Sequence, residues 1–293
     1  MAKENREHKD SVFTDLFSYD ETARRNVLEL YNALFDTDYT DEEAIQMLTL
    51  ETVLFMNLKN DVAFSVGNRR IVLSEHQSTI NANLPLRNLL YIAREYEKIV
   101  PVKNRYKSRL IPIPTPEFIV FYNGTKDYPV EETLRLSTAF TEKDKEANLE
   151  LVVRVININP NKHHEILEKC PILREYSEFV EITRKYKNDK KQLEKAIKEC
   201  QDKGILADYL SRKSSEVTNM LLDEYCYETD IEVQREEAAE EAAEKAAEKA
   251  EKKLIEYIKN ISESFSISEE EACEKLKESY QKYLDIKKKH AQD

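Results

Sequence analysis

Apolar positions in the first half of the chain switch between two periods. In ETARRNVLELYNALF, Val27, Leu28, Leu30, Tyr31, Leu34 and Phe35 recur every three or four residues, the spacing of a helix with one buried face. Ser18 and Glu21 form a capping-box pattern at its start, and Thr40 with Glu43 repeats the pattern before Ala44, Met47 and Leu48. The period then drops to two. A strand is expected over 52–58. Val62, Phe64 and Val66 then alternate with smaller or polar residues up to Gly67-Asn68, which favours a tight reversal into a second strand from Arg69. From Leu84 to Val100 helical spacing returns, with Leu86, Leu89, Leu90, Ile92, Ala93 and Tyr96 on the apolar side and Pro85 tolerated in the first turn. Two β-branched apolar runs follow, Phe118 to Tyr122 and Leu151 to Ile158, closed by Asn123-Gly124 and Asn159-Pro160. Between them, 126–148 has weak periodicity and is expected to be a loop-rich insertion.

From His163 onward the pattern is helical almost throughout. Ile166 to Leu173, Tyr176 to Tyr186, Leu193 to Cys200 and Val217 to Tyr227 each carry apolar residues at three- and four-residue spacing. The run REEAAEEAAEKAAEKAEKK (235–253) has only alanine as an apolar residue, so it reads as a solvated connecting helix with acids at its start and lysines at its end. Ser268 and Glu271 cap a last helix, which with Leu254 to Ile261 would make a helical hairpin. The expected fold is therefore α/β, a mixed central sheet flanked by helices, followed by an all-helical C-terminal region. The expected boundaries are a core at 1–187, a helical extension at 188–233, the connecting helix at 234–253 and the hairpin at 254–293. Tyr257, Ile258, Leu276 and Tyr280 would be the hairpin's buried contacts. Alone it is too small to hold a stable core, so it should dock on its own core or pair with a second copy. A homodimer is the expected assembly.

Composition narrows the chemistry. No apolar run among the 293 residues reaches the length of a membrane span, and MAKENREHKD lacks the apolar stretch of a signal peptide, so a cytoplasmic protein is expected. The four cysteines (Cys170, Cys200, Cys226, Cys273) form no C-x-x-C pair and read as buried free thiols of a reducing compartment. With three glycines there is no Gly-rich phosphate cradle, and no G-x-S-x-G elbow occurs, which leaves nucleotide cofactors and serine nucleophiles without support. His163-His164 lacks a third ligand at zinc spacing. The net charge of −12 does not exclude nucleic acid, because phosphate contacts need local positive charge. Lys98, Lys103, Arg105, Lys107 and Arg109 make one basic cluster, and Arg184, Lys185, Lys187, Lys190 and Lys191 a second. A solvated surface run is an equally good reading of each.

The densest chemical signal is Asn60-Asp61, the hairpin, and then Glu75-His76-Gln77. Asp61 belongs near the start of one strand and the triplet at the end of its partner. Residues two apart share a face, so Glu75 and Gln77 point together and His76 away. Pairing around Gly67-Asn68 brings Asp61 level with roughly Glu75. Two carboxylates and an amide at a sheet edge can hold Mg²⁺ for phosphodiester hydrolysis. Ordinary hairpin charges are the plainer reading of the same residues.

These residues, with their flanks, resemble a PD-(D/E)XK nuclease core and, within it, the Rpn family of recombination-promoting nucleases. Asn60-Asp61 stands where that core has Pro-Asp, and Glu75-His76-Gln77 where it has (Asp/Glu)-x-Lys. The similarity extends through KDSVFTDLF (9–17), EHQSTINANLPLRNLLYIAREYE (75–97), EFIVFYNG (117–124), LVVRVININP (151–160), GILADYL (204–210) and EVTNMLLDEY (216–225), in order along nearly the whole chain. The resemblance implies a Mg²⁺-dependent DNA endonuclease, with Mn²⁺ as a substitute ion. It implies metal on Asp61, Glu75 and the backbone carbonyl of His76, and a water or phosphate oriented by Gln77. It also implies a first helix packed on the sheet, able to lend an acid to the site, for which Glu29 is the candidate. Glutamine offers dipoles where lysine would offer a full charge. Arg69 and Arg87 are candidate suppliers of that charge, and Lys103, Arg105 and Lys107 candidate DNA contacts. Leu136-Ser137-Thr138-Ala139-Phe140 departs from the Leu-Ser-Asp-Ala-Phe form associated with the family, losing an acid. A catalytically idle DNA-binding or assembly protein on the same fold is the alternative that Gln77 and the acidic balance leave open.

Overall fold

The computed structural model describes residues 11–48, 61–76, 80–142, 147–186 and 189–290; for 61, 72–76 and parts of 224–248 only the backbone is described. The expected strand at 52–58, Asn60, Gln77 and Lys187 lie outside the described residues. Two compact units divide between Tyr225 and Cys226.

The first unit is α/β. After a short helical segment at 12–19, its elements run α1 (Ala23–Phe35), β1 (Ile45–Leu48), β2 (Asp61–Val66), β3 (Arg69–His76), α2 (Leu84–Ile99), β4 (Thr115–Tyr122), β5 (Glu131–Arg135), β6 (Val152–Asn157), α3 (Pro171–Thr183), α4 (Lys190–Asp202) and then the start of α5 (Ala207–Phe265). The sheet is mixed, in the order β1-β2-β3-β4-β6-β5. β1, β2 and β3 form an antiparallel meander, β3, β4 and β6 are parallel, and β5 closes the far edge antiparallel to β6. The tight turn works because Gly67 sits at φ 56°, where a Cβ would be strained. The central strand β4 is buried from Phe118 to Tyr122, as expected of a parallel strand covered on both faces.

Two cores sandwich the sheet. On one face Phe64, Ile71, Ile119, Phe121 and Ile156 meet Phe13, Val27, Leu30, Tyr31, Tyr176 and Phe179, together with Leu193 of α4 and Leu210 and Val217 of α5. On the other, Phe118, Val120, Val153 and Val155 meet Leu84, Tyr91 and Ile92 of α2. Each fully buried aromatic there contributes roughly 2–3 kcal/mol of transfer free energy.

Several expectations needed correction. The Thr40 pattern starts no helix. Asp41 caps a single 3-10 turn by accepting from the Glu43 N–H at 2.9 Å, and the chain then enters β1, whose ladder with β2 outweighs the local helical signal. The Ser18 pattern does not cap α1 either: the N-cap is Thr22, whose side chain makes no capping bond, and Asp20 accepts from the Thr22 N–H and hydroxyl just ahead of the helix. Residues 126–148 contain β5, a short charged edge strand whose exposed residues carry no alternation to read. On α2, Leu86 and Leu90 are exposed, while Asn88, Tyr91 and Glu95 turn inward.

The second unit is helical. Its residues belong to the later part of α5, then α6 (Glu269–Leu276) and α7 (Tyr280–Lys289). The expected last helix is broken at Lys277, which adopts φ 57°, so three helical stretches replace the hairpin. Ser268 and Glu271 do form the capping box. Ile258, Ala272, Cys273 and Tyr283 are buried, with Tyr280 packed against them, whereas Tyr257 and Leu276 are exposed. Residues 189–225 fall in the first unit, and the alanine-rich stretch goes with the C-terminal helices. No helix among the described residues is long and apolar enough to cross a membrane.

Candidate functional site

The β2–β3 ladder decides where the acidic pair lies. Asp61 opens β2 and is paired with Ser74, and Glu75 and His76 close β3 beside Phe121 and Tyr122 of β4. Asp61 and Glu75 therefore occupy the same end of the sheet, within one register step. Directly opposed residues share a face and neighbours alternate, so positions 61 and 74 belong to one face and position 75 to the other. The sequence places Asp61 level with roughly Glu75, and the ladder sets it opposite Ser74, one residue away. The side chains of Asp61, Glu75 and His76 lie outside the described part of the structure, as does all of Gln77. The donor set fits Mg²⁺ chemically, being two carboxylates and a carbonyl, all hard oxygens. Among the described residues no group of three His, Cys, Asp or Glu side chains comes together as a metal site.

The candidate cations separate into two groups. α2 runs back along the sheet, as a crossover between parallel strands must. The Arg70 guanidinium meets Glu95 at 2.6 Å, and the Tyr96 hydroxyl donates to the Pro114 carbonyl at 2.7 Å, fixing the end of α2 beside the starts of β3 and β4. Lys103 and Arg105 follow in the short helix Val102–Arg105, with Lys107 just beyond. They therefore sit at the amino end of the parallel strands, away from Asp61 and Glu75. Arg69 is at that end too, six residues from Glu75 along β3, or about 20 Å. Its guanidinium stacks over Phe35 at 4.7 Å and faces Glu117 at 3.9 Å. Arg105 donates to the Glu97 and Val100 carbonyls and so caps the end of α2. Neither Arg69 nor the 103–107 cluster can supply charge at the acidic pair. Arg87, in the first turn of α2, is the one of the five that stays at the carboxyl end.

Glu29 is also accounted for. Its carboxylate accepts from the Ile172 N–H at 3.0 Å and so caps α3, whose first turn begins at Pro171. That role replaces the metal-ligating one proposed for it.

The carboxyl ends of β4 and β6 carry a polar cluster that sequence reasoning missed. Asn123 follows Tyr122, the β4 partner of His76. Arg184, just past α3, donates to both the carbonyl and the side-chain oxygen of Asn123, the latter at 3.3 Å. Asn159 donates to the Gly124 carbonyl at 3.0 Å and to Asn157 at 2.9 Å, and Asn157 donates to the Tyr128 carbonyl at 3.0 Å. Burial pushes the phenols of Tyr122 and Tyr128 up, and hydrogen bonding to Glu132 raises Tyr128 further. His164 is buried: its Nδ1 accepts from the Ile166 N–H at 3.1 Å, leaving Nε2 to donate to Glu131 at 3.3 Å. The hydrogen bonds from Arg154 and His164 hold the Glu131 carboxyl below its ordinary value against burial. His163, next to it, is exposed. Cys170, Cys200 and Cys273 are buried free thiols, and burial pushes Cys200 up to about 12. The second basic cluster was legible as charge; that Arg184 folds back onto the end of β4 was not.

Comparisons with family models, with curated proteins and with solved structures return no match to this chain.

Proposed function

We propose that the chain is a Mg²⁺-dependent DNA endonuclease with a PD-(D/E)XK core of the Rpn type, hydrolysing phosphodiester bonds in recombination or mobile-element biology. One observation supports this most directly: Asp61 and Glu75 lie within one register step at the carboxyl end of a mixed, helix-flanked sheet. In open α/β sheets that end is where ligands bind. Asp61, Glu75 and the His76 carbonyl would hold the ion, and Gln77 would orient a water or a phosphate oxygen. When bound, Mg²⁺ lowers the pKa of a coordinated water and neutralises charge on the scissile phosphate. A dimer suits this function, since a double-strand break needs two sites; exposed Tyr257, Phe265 and Leu276 offer apolar surface on the C-terminal unit.

A second reading is an idle DNA-binding protein on the same fold. It is favoured by Gln77 and by the register, which sets positions 61 and 75 on alternate faces. Nicking of supercoiled plasmid in Mg²⁺ or Mn²⁺ separates the two. The nuclease loses at least a hundredfold in rate on Asp61→Ala or Glu75→Ala. Equal activity in wild type and both variants removes the site assignment.

A further inference from the structure

Arg184 is a partly buried arginine that no carboxylate meets within 4 Å among the described residues. Elsewhere in the first unit, Arg70 has Glu95, Arg154 has Glu131 and Arg212 has Asp20. Arg184 is held instead by a neutral group, the backbone carbonyl and carboxamide oxygen of Asn123. Asn123 is 1% exposed, and its Nδ2 finds no partner among the described residues. An unpaired buried donor is destabilising, and so is a half-desolvated cation with no counter-charge. The pairing also leaves other N–H donors of the guanidinium fork uncommitted among the described residues, in the geometry that suits a phosphate.

The position matters as much as the missing counter-charge. Asn123 is one residue past Tyr122, which is in register with His76. Phe121, in register with Glu75, faces the core that α3 covers. By alternation Asn123 returns to that same face, the one from which Arg184 reaches it. Neighbouring strands lie about 4.8 Å apart, so the guanidinium is on the order of 10 Å from the end of β3.

We infer that Arg184, oriented by Asn123, binds a backbone phosphate of nucleic acid at the carboxyl end of the sheet and supplies there the positive charge that Gln77 lacks. The catalytic half of this rests on the nuclease reading; the phosphate-binding half does not. The alternative is a purely structural clasp between α3 and β4, favourable in itself because a cation suits a helix C-terminus.

The experiment measures binding of a fluorescent duplex oligonucleotide by anisotropy across a KCl series, in EDTA, for the full chain and for Arg184→Gln and Arg184→Lys. Thermal melts confirm that the variants fold. Arg184→Gln is expected to weaken binding about tenfold at low salt and to reduce the slope of log affinity against log salt by about one. Arg184→Lys should keep the slope, because it keeps the charge. Unchanged affinity and slope in Arg184→Gln overturn the inference, as does an equal loss in both variants or a wild type that binds no DNA. Plasmid nicking then separates the two claims. A wild type that nicks no DNA, with the binding effect intact, sinks the nuclease reading and leaves the phosphate site standing. If wild type nicks, Arg184→Gln should slow it about tenfold or more, and Gln77→Lys in that background should restore part of the rate. No slowing removes the catalytic half.

Discussion

Lys213 is the residue whose replacement should reveal most about what holds the first unit together. Its ammonium sits 3.0 and 2.8 Å from the two carboxylate oxygens of Asp15 and 3.4 Å from Asp20. The Tyr209 hydroxyl donates to the same Asp15 carboxylate at 2.8 Å. Asp15 belongs to the π-helical segment Asp15–Tyr19, and Lys213 is the residue at which α5 departs from helical geometry, at φ −125° and ψ 19°. The pair thus ties the N-terminal segment to a bend nearly two hundred residues later. Side-chain exposure is 7% for Asp15 and 20% for Lys213. Removing one partner of a buried pair costs about 3–5 kcal/mol, because the other charge is left behind. Asp15 keeps Tyr209 and the lysine is a fifth exposed, so about 2–3 kcal/mol is expected for Lys213→Met. For a unit of this size that is a fall of roughly 5–10 °C in melting temperature. Replacing both partners, Asp15→Asn with Lys213→Met, leaves no orphaned charge and keeps a neutral acceptor for Tyr209. The double variant should therefore recover to within about 1 kcal/mol of wild type. Circular dichroism melts of Lys213→Met, Asp15→Asn and the double variant test this, with any separate transition of 226–293 as an internal reference. A Lys213→Met loss below about 0.5 kcal/mol, or a double variant as unstable as the sum of the singles, would refute the reasoning.

Two further outcomes are expected. Burial pushes the Asp20 carboxyl up, but hydrogen bonds from Arg212 and Thr22 outweigh it and hold the group well below its ordinary value of 3.8. Its contribution is therefore complete above about pH 4 and lost as pH falls further; urea midpoints should decline below pH 4 in wild type and decline less in Asp20→Asn. Light scattering on the full chain and on a truncation ending at Tyr225 tests the dimer: a dimeric full chain and a monomeric truncation assign the interface to the C-terminal unit, and two monomers at tens of micromolar end the proposal.

The alternation of Val62, Phe64 and Val66, the Gly67-Asn68 reversal, the apolar run Phe118–Tyr122 and the helical spacing of α1 were legible because local periodicity and turn chemistry determine them without reference to distant residues. They suffice for an α/β fold with a hairpin bearing Asp61 and Glu75. What sequence could not reveal depends on partners far along the chain. β1 exists because β2 lies beside it, although Thr40 and Glu43 suggest a helix. β5 is a strand only through its ladder to β6. The return of α2 along the sheet sends Lys103, Arg105 and Lys107 to the end opposite Asp61, a consequence of crossover geometry that charge counting cannot see. Glu29 caps α3 across 143 residues, and Arg184 meets Asn123 across 61. Periodicity acts over one turn or one pleat, whereas the choice of which charge meets which acid is made by packing, after the sheet and its helices are in place.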